Sequence, residues 1–175
     1  MAFWAFIGSE CLLFGSLIST YLIYKGRSTE GPTPEILNIP LTSFSTFDLL
    51  MSSLMMVLAL AAVQRGDRKW ANIWLFATAF MGMIFLGLQA YEFTSFVHEG
   101  LTLQANLFGA TFFVLTGTHG AHVTVGVIWL LTLWGVGLKG GLTPDKALNV
   151  ELAGLYWHFV DVVWIVIFTL VYLLR

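Results

Sequence analysis

Charge is what this sequence has least of. Eight Lys or Arg and ten Asp or Glu are spread over 175 residues. A soluble domain of ordinary composition carries roughly 25% charged residues, and so sparse a set cannot clothe a water-facing surface. A net charge of -2 gives no electrostatic footing for a nucleic-acid partner. The single cysteine, Cys11, excludes an intrachain disulfide and a thiolate metal cluster. All four prolines, at 32, 34, 40 and 144, fall outside the long apolar runs. No polar stretch is long enough to make a second domain.

Apolar residues are abundant: 58% of the chain is hydrophobic, with 15 Phe and 7 Trp. They gather into five runs, 2–24, 45–64, 71–94, 105–138 and 150–174. Each is long enough to cross a hydrocarbon core of about 30 Å as a helix. Lipid tolerates no open strand edge, so the expected fold is all-α, a single polytopic membrane bundle of five transmembrane helices over 1–175. The first run starts at Ala2 without a basic leader and is too long for the apolar core of a secretory signal, so it is expected to be retained. The fourth would span about 50 Å if wholly helical. It is expected to project into water at its start, where Gln104 and Asn106 dilute the apolar pattern.

Residues 25–44 hold Lys25, Gly26, Arg27, Gly31, Pro32, Pro34 and Pro40, a density of breakers that argues against a regular element. Asn38, Thr42 and Ser43 lead into the second helix, with Ser45 or Thr46 as its candidate cap. Arg65-Gly66-Asp67-Arg68-Lys69 reads as a tight polar turn. Thr143-Pro144-Asp145 reads as a turn or a short helical start. Arg65, Arg68, Lys69, Lys139 and Lys146 share one side of the membrane; Lys25, Arg27 and Arg175 share the other. Five against three favours an inside N-terminus and an outside C-terminus. Asp48 and Glu151 read as first-turn acids that complement their helix N-termini.

Glu10, His119, His122, His158 and Asp161 lie deep in apolar runs that carry no Lys or Arg. Ionisable groups at such depth face other protein or water, because facing lipid is costly. Glu10 is either a proton-exchanging or lipid-contacting acid, or a packing group bonded to a neighbour's hydroxyl or His; Ser16, Ser19 and Thr20 continue a mildly polar strip. His119 and His122 are three apart and share a helix face. With His158 or Asp161, also three apart, they could form a metal site. Interhelical hydrogen bonding is the better reading of all four, and no nucleophile or substrate pocket is identifiable. Gly109, Gly117, Gly120 and Gly126 would let another backbone approach. Gln89, Tyr91, Glu92, His98 and Glu99 read as an interfacial belt or a proton-collecting pair at the membrane edge. A lone transporter or channel would want repeats or broken helices, which are not visible.

Several segments match a known pattern. Gly8-Ser9-Glu10, Gly66-Asp67-Arg68-Lys69 and Gln89-Ala90-Tyr91-Glu92 are three of them. The run from Gly109 through Thr116-Gly117-Thr118-His119-Gly120-Ala121-His122-Val123 is longer, as is Tyr156-Trp157-His158-Phe159-Val160-Asp161-Val162-Val163-Trp164. With these the chain resembles subunit III of the haem-copper respiratory oxidases, cytochrome c and quinol oxidases alike. The resemblance implies an accessory subunit with no catalytic residue, haem or copper of its own. It would sit in the bacterial cytoplasmic membrane beside subunit I, with subunit II and a small subunit IV in the complex. That complex reduces oxygen to water and pumps protons. Subunit III supports proton uptake, protects the active centre during turnover and holds phospholipid in a cleft between helix groups. Glu10 matches the family's carbodiimide-reactive glutamate near lipid. Glu92, His119, His122, His158 and Asp161 would be buried polar structure. Longer family members have seven helices, and this chain starts where their third would start. The subunit III-like protein of a nitric oxide reductase system is the nearest alternative.

Overall fold

A computed structural model describes residues 2–25, 39–98 and 107–173. Five helices carry the fold: α1 (Ala2–Lys25), α2 (Ile39–Gln64), α3 (Arg68–His98), α4 (Leu107–Leu138) and α5 (Ala147–Phe168). A 3-10 turn, Pro144–Lys146, precedes α5, and a π turn, Thr169–Leu173, continues it. All five helical segments are long and apolar enough to cross a membrane, and the chain is a multi-pass membrane protein. Helices satisfy every main-chain group within the segment, which lipid cannot do for them.

Helix α2 starts at Ile39, six residues before the apolar run that announced it. Pro40 stands in its first turn, where the missing N–H has no helical partner to lose and φ is already helical. Ser45 and Thr46 are therefore not caps. Their hydroxyls donate to the Thr42 carbonyl at 2.9 and 2.7 Å from inside the helix. Asp48 is likewise no first-turn acid; it is buried near the middle of α2. Helix α3 extends from 68 to 98, past both ends of its run. The readings at Gly26, Arg27, Gly31, Pro32, Pro34, Asn38, Glu99, Gln104, Asn106 and Arg175 lie outside the described residues.

Helices α2 and α3 meet at a tight turn in which Gly66 takes φ 76°, a conformation costly for other residues. Asp67 Oδ1 accepts the Trp70 N–H at 3.2 Å and closes the first turn of α3. Helices α2, α3, α4 and α5 form a closed ring, each packed on the next and α5 returning to α2. Helix α1 lies outside this ring, mainly against α4.

At the centre of the ring stands Trp157 of α5, fully buried. Its indole N–H donates to Ser52 Oγ of α2 at 2.9 Å. A Cβ on Gly82 of α3 would lie 2.6 Å from Trp157 Cη2, and one on Gly126 of α4 would lie 2.9 Å from its Cε3. Both glycines receive a ring; at Gly126 the sequence had suggested a neighbouring backbone instead. Gly120 receives the Gln89 amide in the same way, and Gly117 has nothing against it. Between membrane helices, such close side-chain packing replaces the hydrophobic force that lipid removes.

Candidate functional site

The site is built where α1 crosses α4. The lower ring nitrogen of His122, Nδ1, lies 2.8 Å from the Thr118 carbonyl one turn back along α4. A carbonyl only accepts, so Nδ1 carries hydrogen. The other nitrogen, Nε2, is 2.9 Å from Glu10 Oε2 on α1. One proton occupies that contact. It belongs either to an imidazolium facing a carboxylate or to a carboxylic acid facing a neutral imidazole. Phe14 of α1 covers the His122 ring edge-on, with centroids 5.0 Å apart. From α5 the Tyr156 hydroxyl donates to the His122 carbonyl at 3.0 Å.

Beside this pair lies an open groove of about 290 Å³, walled by Phe6, Ala121, Val125, Trp129 and Tyr156, with Glu10 and His122 as its polar members. Both side chains of the pair are largely but not wholly covered, 15% and 19% exposed for Glu10 and His122. The arrangement can pass one proton between acid and base without changing the charge of the pair. It also offers an apolar surface open to the side of the bundle. The mildly polar strip on α1 plays no part. Ser16, Ser19 and Thr20 each donate to a carbonyl of their own helix at 2.7–2.8 Å.

The other candidate residues are dispersed. His119 is fully buried, stacked on Trp164 with centroids 4.8 Å apart and edged by Phe85 and Phe14. His158 Nδ1 shares a 2.6 Å hydrogen bond with Ser53 Oγ of α2. Asp161, 3% exposed, is directed at the same serine without a well-aligned hydrogen bond. Glu92 and Gln89 are buried, so neither belongs to an interfacial belt, although neighbouring Tyr91 and His98 are exposed. Glu92 Oε1 accepts from the Thr42 hydroxyl at 2.6 Å, with the Tyr172 phenol as a second partner. Gln89 Nε2 donates to the Thr116 carbonyl at 2.9 Å. Among the described residues, no three His, Cys, Asp or Glu side chains come together as metal ligands.

Sequence reasoning missed the partners of α5. Trp164 Nε1 donates to Thr46 Oγ1 at 2.9 Å, above the Trp157–Ser52 and His158–Ser53 bonds. Thr42, Thr46, Ser52 and Ser53 thus form a hydroxyl ladder along the inner face of α2. Their spacing was the available signal, since 42, 46, 52 and 53 return to one helical face.

A family model described as cytochrome c oxidase subunit III matches residues 1–175. The chain is 43% identical over 175 residues to "Cytochrome c oxidase subunit 3" of Bacillus sp. (strain PS3), covering 99% of this chain and 84% of that relative. It is 42% identical to "Quinol oxidase subunit 3" of Bacillus subtilis (strain 168), covering 99% and 86%. To "Cytochrome c oxidase subunit 3" of the same strain it is 41% identical, covering 99% and 85%. The two electron donors in these names go with nearly equal identities.

Proposed function

This chain belongs to the cytochrome c oxidase subunit III family and is an accessory subunit of a terminal oxidase, and from that premise we infer how it serves the complex. It lies in the bacterial cytoplasmic membrane with its N-terminus inside and its C-terminus outside. It docks directly on subunit I, in an assembly that includes subunit II and a small subunit IV. Haem and copper in those partners reduce oxygen to water and drive proton pumping; this chain carries neither. Its contribution is to stabilise subunit I, hold a phospholipid and sustain proton uptake.

The observation that carries this reading is the Glu10–His122 contact beside an apolar groove open to the side of the bundle. The walls at Phe6, Val125 and Trp129 suit an acyl chain. The one-proton contact beneath gives the acid a base with which to exchange. Glu92, His119, His158 and Asp161 serve the bundle itself, holding α2, α3, α4 and α5 in register.

Affinity purification of the full chain from native membranes in mild detergent tests the assignment. A haem- and copper-bearing subunit is expected to co-purify; a chain isolated free of both would overturn it. In the intact complex, Glu10→Gln is expected to leave assembly and initial oxygen consumption unchanged while shortening activity under sustained turnover. Equal lifetimes of variant and wild type would remove Glu10 from this role.

A further inference from the structure

A second groove lies between the start of α3 and the end of α4. It holds about 430 Å³ and is lined by Lys69, Asn72, Ile73, Phe76, Trp134 and Leu138. Phe76 and Trp134 form its wall, with ring centroids 5.0 Å apart. Lys69 is one residue into α3, and Phe76 lies about 10 Å deeper along the helix. The groove therefore offers a cation at its mouth and an aromatic, aliphatic wall running into the hydrocarbon. Twelve residues of α4, about 18 Å, separate Trp134 from His122, so this is not an extension of the Glu10 groove.

The surrounding charge has one dominant sign. Arg65, Arg68, Lys69, Lys139 and Lys146 cluster at this end of the bundle against Asp67, Asp145 and Glu151. Asp67 is occupied at the α3 N-terminus. The two basic turns are packed together. A Cβ on Gly140 would stand 3.5 Å from Arg68 Nη1, and one on Gly66 would stand 3.8 Å from Pro144 Cγ. Trp70 and Trp74 stack at 6.0 Å beside them, at the depth where indoles meet headgroups.

We propose that the α3–α4 groove is a binding site for an anionic phospholipid, its phosphate against Lys69 and an acyl chain along Phe76 and Trp134. A basic pocket between membrane helices favours an anionic headgroup, and the apolar wall distinguishes a lipid from a free anion. The proposal rests on the membrane crossings and not on the oxidase assignment, so each can fail alone.

The test is native mass spectrometry of the full chain, in whatever assembly it is isolated, titrated with dioleoyl phosphatidylglycerol or dioleoyl phosphatidylcholine. Preferential retention of one phosphatidylglycerol is expected. Lys69→Gln should weaken it about five-fold, the effect of one cation near a lipid phosphate, and Lys69→Arg should restore it. Phosphatidylcholine retention should be the same in all three proteins, and Lys146→Gln should match wild type. Equal retention of the two lipids would overturn the proposal. Equal losses in Lys69→Gln and Lys146→Gln would also overturn it, by reducing the effect to diffuse charge.

Discussion

Helices α1 and α5 are both apolar enough to cross a membrane, yet they stand in the protein differently. Helix α5 buries ten residues, among them Trp157, Trp164 and Asp161. Among the described residues, α1 buries only Phe14 and Tyr21, and exposes Trp4, Phe6, Leu12, Leu13, Leu22 and Ile23. Apolarity decides that a segment enters the membrane; it does not decide whether the segment faces protein once there. What separates the two is where their polar atoms go. The indoles and imidazole of α5 reach hydroxyls on α2, whereas Ser9, Ser16, Ser19 and Thr20 of α1 turn their hydroxyls back on the carbonyls of their own helix. Glu10 carries α1 to another helix, through its hydrogen bond with His122 of α4.

Removing Trp157 should strike hardest. Trp157→Ala empties the centre of the ring and frees Ser52, and is expected to destabilise the protein by about 3–5 kcal/mol, read as an earlier midpoint in denaturing-detergent titration. Filling the same place from the other side should cost less. Gly82→Ala drives a methyl into the Trp157 ring, an overpacking worth about 1–3 kcal/mol. A wild-type midpoint in either variant would remove Trp157 from the centre of the fold.

Smaller effects sharpen the contrast. Trp164→Phe keeps the stacking on His119 but deletes the hydrogen bond to Thr46, for an expected loss near 0.6 kcal/mol, the average for such bonds between membrane helices. A double-mutant cycle with Thr46→Val should isolate that coupling. Glu10→Leu should speed hydrogen–deuterium exchange in α1 while leaving α5 at its wild-type rate. Equal acceleration in both would mean that α1 belongs to the same cooperative unit. Ser19→Ala, on an exposed and self-bonded hydroxyl, should shift stability by less than about 0.5 kcal/mol.

How much of this was legible in the sequence follows from the physics of each feature. The five crossings were legible because hydropathy is a local property summed over some twenty residues. The start of α2 was not, because Pro40 counts as a breaker everywhere except in a first turn. Glu10 and His122 were each visible as costly ions in apolar runs, but 112 positions separate them and only folding makes them a pair. Ser52, Ser53 and Thr46 escaped because a hydroxyl in a helix can bond its own turn as readily as a neighbour. Glu92 was read both as belt and as buried structure; one position along a helix turns a side chain by about 100°, which is what separates it from exposed Tyr91.

Trp157 has a consequence for biosynthesis. Helix α5 leaves the ribosome after α1, α2, α3 and α4, so for a time these four stand in the membrane with Ser52 lacking the indole donor and the hollows at Gly82 and Gly126 unfilled. The ring is expected to close only when the indole arrives. Until then its inner hydroxyls and bare glycine surfaces are open to whatever chaperone or protease patrols newly inserted helices, so one side chain serves as both packing element and signal of completion.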